Sequence, residues 1–146
     1  HTPYLMPDPQ LMEAIQNSAS SGVDVKLMLP GIADKRIPYF VTYSYIKNML
    51  DYGVKVYMHK GFLHSKMIVA DSKVSTIGTT NLDMRSLKLH FEVNNFYYDT
   101  AVSLDCHKTF EKDLEDCYEM TREIYENRSN GKKLMEKIFR LFAPLM

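Results

Sequence analysis

His64 and Lys66 lie two residues apart in the run Gly61-Phe62-Leu63-His64-Ser65-Lys66-Met67-Ile68-Val69-Ala70-Asp71, whose apolar and β-branched residues predict a strand over 63–70. Residues of like parity share one face of a strand, so the two side chains project together while Asp71 points the other way. This pair suggests chemistry on an anion. An imidazole titrates near neutral pH and can serve as nucleophile, base or acid. An ammonium buried without a partner is costly, so a lysine beside it either faces water or binds negative charge. Each residue also has a plainer role open to it. A strand histidine is often a hydrogen-bonded structural group, and Asn81 can simply shape the turn after Gly78.

The full pattern is His64, one residue, Lys66, four residues, Asp71, six residues, Gly78, two residues, Asn81. It resembles the motif of the phospholipase D superfamily. The continuation Gly78-Thr79-Thr80-Asn81-Leu82-Asp83-Met84-Arg85-Ser86, followed by Phe91-Glu92-Val93-Asn94, is similar to the second half of the bacterial cardiolipin synthases. Tyr4 in Thr2-Pro3-Tyr4, the pair Pro7-Asp8, and Leu29-Pro30-Gly31 fit that family too, so the resemblance covers nearly the whole chain. It implies an α/β fold, a mixed β-sheet flanked by helices in the α/β/α sandwich of a phospholipase D-like half-domain.

The resemblance also implies a catalytic set of His64, Lys66, Asp71, Asn81 and Glu92, with Lys66, Thr79 and Asn81 binding phosphate and neither metal nor cofactor. Lys66 would place a point charge on a non-bridging oxygen, with the Asn81 amide and the Thr79 hydroxyl or N–H donating beside it. Glu92, 28 residues past His64, would hydrogen-bond the imidazole and fix its tautomer. By strand parity alone Asp71 reads as structural. Asp83 and Arg85 are expected to pair and organise the loop. His59, His90 and His107 have no motif around them.

Only one copy of the motif is present, and superfamily members of this kind bring two together across a pseudo-twofold axis. One histidine forms a covalent phosphohistidine and the other protonates the leaving alcohol, after which a second alcohol resolves the intermediate. In a cardiolipin synthase, one phosphatidylglycerol leaves its phosphatidyl group on the enzyme and releases glycerol, and a second phosphatidylglycerol takes the group up. The family assigns the acid role to the second-half histidine, while the residues here leave that division open. The missing half, with membrane-spanning helices at the bacterial inner membrane, would precede His1. Two alternatives stand: a single-motif phosphodiesterase, phospholipase or nuclease, completed by homodimerisation, or a half-domain inactive alone. Neutral overall charge and the lack of a basic groove count against nucleic acid as a partner.

The elements that must position these residues follow from patterning. The chain has 146 residues, 18 basic and 18 acidic, with 45% hydrophobic residues, which fits one soluble globular domain. It begins at His1 without an initiator Met, and so reads as a piece of something longer. Asp8-Pro9 opens a helix striped by Leu11, Met12, Ile15 and Ala19; 23–29 alternates as a strand. A second helix starts near Pro38 and ends at Gly53, and 54–58 is the next strand. The runs 74–77 and 89–98 read as further strands. Cys106, Phe110, Leu114, Cys117, Thr121 and Ile124 predict one long helix, with both cysteines on its apolar stripe, too far apart to pair. Arg128, Ser129, Asn130 and Gly131 mark a boundary between a catalytic half-domain at 1–127 and a basic amphipathic segment at 128–146. There Lys132, Lys133, Lys137 and Arg140 interleave with Leu134, Met135, Ile138, Phe139, Leu141 and Phe142. Such a helix either lies on a membrane surface or packs on its own domain or on the missing half.

Overall fold

In the computed structural model, which describes residues 1–143, the elements run β1 (Leu5–Met6), α1 (Pro9–Ser20), β2 (Lys26–Pro30), α2 (Arg36–Asp51), β3 (Lys55–His59), β4 (Met67–Ala70), β5 (Val74–Gly78), β6 (Leu82–Asp83), α3 (Met84–Lys88), β7 (Asn94–Tyr97), α4 (Thr100–Leu114), β8 (Cys117–Glu119), α5 (Arg122–Glu126) and α6 (Asn130–Arg140). Asp8 caps α1, its carboxylate accepting the Leu11 N–H at 2.8 Å, with Pro9 at the first helical position.

β2 and β3 are parallel, with Leu27 opposite Val56 and Leu29 opposite Met58. Those four side chains share a face and pack with Ile46 and Met49 of α2 in the main core. The other parity faces α4, where Lys26 Nζ donates to Glu111 Oε1 at 2.9 Å. Helices thus cover both faces, as the expected α/β/α layering requires. β8 adds to β3 in antiparallel fashion, and β4, β5 and β7 form an antiparallel ladder.

The first two residues stitch these ladders together. Thr2 N–H donates to the Met28 carbonyl of β2 at 3.2 Å, and Met67 N–H of β4 donates to the His1 carbonyl at 3.1 Å. Thr2 Oγ1 accepts the Leu82 N–H at 3.2 Å, beside the parallel β1–β6 pair. Backbone groups on both inner edges are thereby satisfied, as burial demands.

Several expected elements change. The helix begun at Thr100 stops at Leu114 instead of reaching Ile124. Asp113, Glu115 and Asp116 crowd its C-terminal end, where the helix dipole disfavours carboxylates. Residues 117–119 then serve the sheet as β8, and Met120 buries its side chain in the core while its N–H donates to Val56 at 2.8 Å. Cys106 stays buried on α4, whereas Cys117 leaves the helix for a strand; both thiols are free. The strand expected over 63–70 pairs only from Met67, and that over 89–98 only across Asn94–Tyr97. Asp83 does not pair with Arg85. It caps the unforeseen helix α3, accepting the Ser86 N–H at 2.7 Å. The basic segment forms α6 and packs on α2, while residues 144–146 of that expected helix lie outside the described residues.

β4 and β5 are joined by the three-residue turn 71–73, in which Asp71 and Ser72 both have positive φ, 51° and 53°, with Lys73 N–H donating to the Ala70 carbonyl at 3.0 Å. Asp tolerates this left-handed backbone better than most residues. Across the sheet, Gly78 lies against Asn94 and the Val93 carbonyl so closely that any Cβ would overlap them. Gly78→Ala is therefore expected to cost about 2 kcal/mol of unfolding free energy, read from denaturant titration. An unchanged midpoint would mean that β7 does not approach β5 this closely.

Candidate active site

His64 and Lys66 sit in the extended lead-in to β4 and open on a cleft of about 810 Å³ that also takes in Thr79 and Asn81. Its far wall is Tyr4, just ahead of β1, with Asp34 and Lys35 from the loop after β2. The His64 ring is exposed, stacked on Phe62 at 5.8 Å between centroids and met edge-on by Tyr4 at 6.4 Å. Tyr4 donates to Asp34 Oδ2 at 2.5 Å, and burial with that carboxylate pushes the phenol up to about 12. Asp34 is thus occupied by Tyr4, leaving Lys35 and Lys66 as the cations of the cleft.

Lys66 Nζ folds back to donate to the His64 backbone carbonyl at 2.7 Å. Burial holds its pKa below the ordinary lysine value, against the opposing pull of Glu92, Asp34 and Asp83. The Lys66 carbonyl in turn accepts the Gly78 N–H at 3.2 Å, which brings the turn carrying Thr79 and Asn81 alongside.

Asn81 is held from behind. Its Nδ2 donates to Ser86 Oγ at 3.2 Å, and Ser86 is fixed by Asp83 at the start of α3. Asn81 Oδ1 is buried and has no hydrogen-bond partner among the described residues. Thr79 Oγ1 donates to Glu92 Oε2 and accepts the Val93 N–H at 2.9 Å.

Glu92 does not hydrogen-bond His64 in this chain. Its carboxylate takes the Thr79 hydroxyl and lies 3.6 Å from His90 Nδ1, so the expected imidazole–carboxylate bond is absent. The Thr79 hydrogen bond, then Ser86 and His90, hold Glu92 below the usual carboxylate range. Asp71 lies at the hairpin turn, exposed, about 16 Å from Lys66 along the strand at ~3.3 Å per residue, and takes no part in the cleft. Among the described residues no three His, Cys, Asp or Glu side chains converge as a metal site requires.

Sequence reasoning missed the group that pins the His64–Lys66 segment. The buried His1 imidazole meets Ser65 Oγ through Nδ1 at 2.9 Å, turns Nε2 toward Asp113 Oδ2 at 3.6 Å, and stacks on Phe110 at 5.1 Å. Ser65 stands between His64 and Lys66, so this contact orients both neighbours. Asp113 lies 47 residues past Lys66 in sequence, and only the packing of α4 on β4 reveals it.

Residues 1–114 match the family described as "Cardiolipin synthase, PLD-like domain". The cardiolipin synthase of Clostridium perfringens (strain SM101) is 47% identical over 146 residues, 99% of this chain and 31% of that one. Cardiolipin synthase 2 of Bacillus cereus is 41% identical over the same length, 99% of this chain and 28% of its own. The chain therefore spans about a third of the length of the curated relatives it matches. Among solved structures, the phospholipase D family member Nuc from Salmonella typhimurium superposes with a TM-score of 0.66 at 17% identity, covering 81% of this chain and 78% of that one. NucT from Helicobacter pylori gives 0.63 at 20% identity over 80% and 78%. These two share the fold. With most of its residues inside the family match and near-half identity to its relatives, the chain belongs to the cardiolipin synthase family of phospholipase D-like domains.

Proposed function

We propose that this chain supplies one of two motifs of a phosphatidyltransferase that converts two phosphatidylglycerol molecules into cardiolipin and glycerol through a covalent phosphohistidine. The carrying observation is that His64 and Lys66 open on one cleft with Thr79 and Asn81, while no second histidine lines it. Transfer through a histidine adduct needs two proton-handling groups. One imidazole nitrogen attacks phosphorus as the bond to the glycerol oxygen breaks, and a second, protonated imidazole gives its proton to that oxygen. The second imidazole then takes the proton of the incoming phosphatidylglycerol hydroxyl, which attacks phosphorus and breaks the P–N bond. Lys66 and the Asn81 amide neutralise the non-bridging oxygens in both steps.

The second imidazole comes from the N-terminal half of the same protein or from a second copy. A bare apolar face supports such a partner. In the β4–β5–β7 ladder Ile68 and Phe96 share a side on either flank of Thr76 and are 51% and 62% exposed. Phe91, Val93 and Tyr98 nearby are also open, and together they exceed the scattered apolar exposure of an ordinary surface. The site works on lipid at a bacterial membrane, although no helix among the described residues is long and apolar enough to cross one. Asp71, from its position, turns the hairpin and takes no catalytic part.

Four outcomes are expected with phosphatidylglycerol vesicles and resolved lipid products. His64→Ala, in the enzyme containing both halves, abolishes cardiolipin formation, and product from that variant would remove His64 from the mechanism. Asp71→Asn retains activity within about twofold, since the turn needs only a residue that tolerates positive φ; a large loss would return Asp71 to the catalytic set.

The lowered Lys66 pKa gives a sign for pH dependence. The ammonium is lost at lower pH than that of an ordinary lysine, so the KM for the anionic lipid rises early on the alkaline side. Lys66→Arg, charged throughout, flattens that limb; a limb unchanged in the arginine variant would assign it elsewhere. Finally, His1→Ala is expected to lower kcat by roughly tenfold or more through misplacement of His64. His1→Asn, whose amide reaches Ser65 as Nδ1 does, recovers more of kcat than His1→Gln. Equal loss in both would leave His1 a packing residue only.

A further inference from the structure

Helix α6 is built with its polar face inward. Glu136 is buried and chelated by Arg128, whose Nη2 donates to Oε2 at 3.0 Å, while the guanidinium lies 3.8 Å over the Tyr125 ring. Arg140 donates to the Ser44 carbonyl at 2.8 Å and to Asn48 at 3.2 Å, both on α2. Phe139, and Ala143 just past the helix, add apolar contact on this side, with Phe139 stacked on Phe40 at 5.7 Å. Leu134, Ile138 and Leu141, spaced i, i+4, i+7, form the opposite stripe and are 58%, 41% and 79% exposed. Met135 and Phe142 widen that stripe along one edge, and Lys137 and Lys133 run along the other, nearer α2. A helix held only by packing on its own domain would turn this stripe inward.

We propose that α6 lies flat on an anionic lipid surface, its Leu134–Ile138–Leu141 stripe in the headgroup–acyl boundary and its lysines on lipid phosphates. Charge argues for this occupant over a protein. The sole acid of α6, Glu136, is held internally by Arg128, so what faces outward is apolar surface bordered by Lys137 and Lys133, which form no ion pair among the described residues, Lys133 Nζ donating to the Glu126 carbonyl. That combination suits anionic headgroups, whereas lysine is depleted at protein–protein interfaces. The sheet face assigned to the second motif differs, since its strand residues Ile68, Thr76 and Phe96 carry no cation.

The placement also serves the cleft. Phe139 and Ala143 pack in one cluster with Met6 and Val41, against which Tyr4 rests, and Tyr4 is the ring that meets His64. An α6 seated on the bilayer therefore sits one side-chain layer from the catalytic wall. This inference deepens the lipid reading of the site but does not require turnover.

The test is co-sedimentation of the 146-residue chain with vesicles of phosphatidylcholine alone, or with one-third phosphatidylglycerol or phosphatidylserine. Binding is expected to both anionic mixtures and to be weak on phosphatidylcholine. Leu134→Gln/Ile138→Gln/Leu141→Gln should lose it by roughly tenfold or more with an unchanged circular dichroism spectrum, because these side chains are already in solvent. Lys133→Gln/Lys137→Gln should weaken it about fivefold per lysine, from ~1 kcal/mol per cation near an anionic surface, and in a salt-dependent way. No binding by the parent chain, or full binding by the triple variant, would overturn the proposal. So would a triple variant that keeps vesicle binding and loses self-association in sedimentation velocity, which would give the stripe to a second copy. Binding to anionic vesicles, with no cardiolipin from phosphatidylglycerol even after the N-terminal half is added, would uphold this inference while counting against the transferase reading.

Discussion

The site depends on two residues of extended backbone wedged between two sheet edges. Without His1 and Thr2, Met28 of β2 and Met67 of β4 would each leave a buried backbone group unpaired, which costs on the order of 1–3 kcal/mol apiece. With them, ladders built from opposite halves of the sequence become one surface. The residues that line the cleft hang from that seam. The His64–Lys66 segment leads straight into Met67, and the turn after Gly78 is tied to it through the Lys66 carbonyl. Tyr4 and Leu82 follow within a few residues on either side of the same join. The His1 side chain repeats, at Ser65, the positioning that its backbone performs at Met67.

The seam explains how a chain with no net charge can bring particular cations to one cleft. Its cations are not numerous; they are placed. Lys66 and Lys35 face the cleft beside Asp34, which accepts the Tyr4 hydroxyl, while Glu92 accepts that of Thr79 and both carboxylates act on Lys66. Exposed ion pairs elsewhere, such as Lys55 with Asp24 and Lys47 with Asp51, neutralise each other at the surface and contribute little to stability. Composition sums over all of these, and for that reason cannot reveal the pocket.

Local patterning carried the first half of the fold well. Asp8 and Pro9 announce α1, and alternating apolar residues announce β2 and β3, because caps and strand parity act over a few residues. The second half was less legible where tertiary demands overrode local period. Cys117 and Ile124 continue a helical stripe by spacing, yet the open edge of β3 recruits Cys117–Glu119 as a strand. Lys66, Thr79 and Asn81 were legible as a spaced motif that gathers at one cleft. Glu92 was expected on a strand and against His64, whereas it lies ahead of β7 and accepts the Thr79 hydroxyl. His1, Asp113 and Lys35 were invisible, since nothing local marks a residue whose partner lies tens of positions away. The inward polar face of α6 was equally hidden: its sequence shows an amphipathic helix, and only the Arg128–Glu136 contact shows which side is buried.

The central claim is that one His-x-Lys motif is half a site and that the second imidazole comes from outside this fold. The most direct measurement is cardiolipin formation by the chain across a dilution series, with its oligomeric state followed by sedimentation and with the separately produced N-terminal half added in parallel. The account predicts no turnover by monomer, and activity that appears either with self-association or on addition of the other half. Full turnover by a chain shown to be monomeric, unchanged by dilution or by added partner, would contradict it.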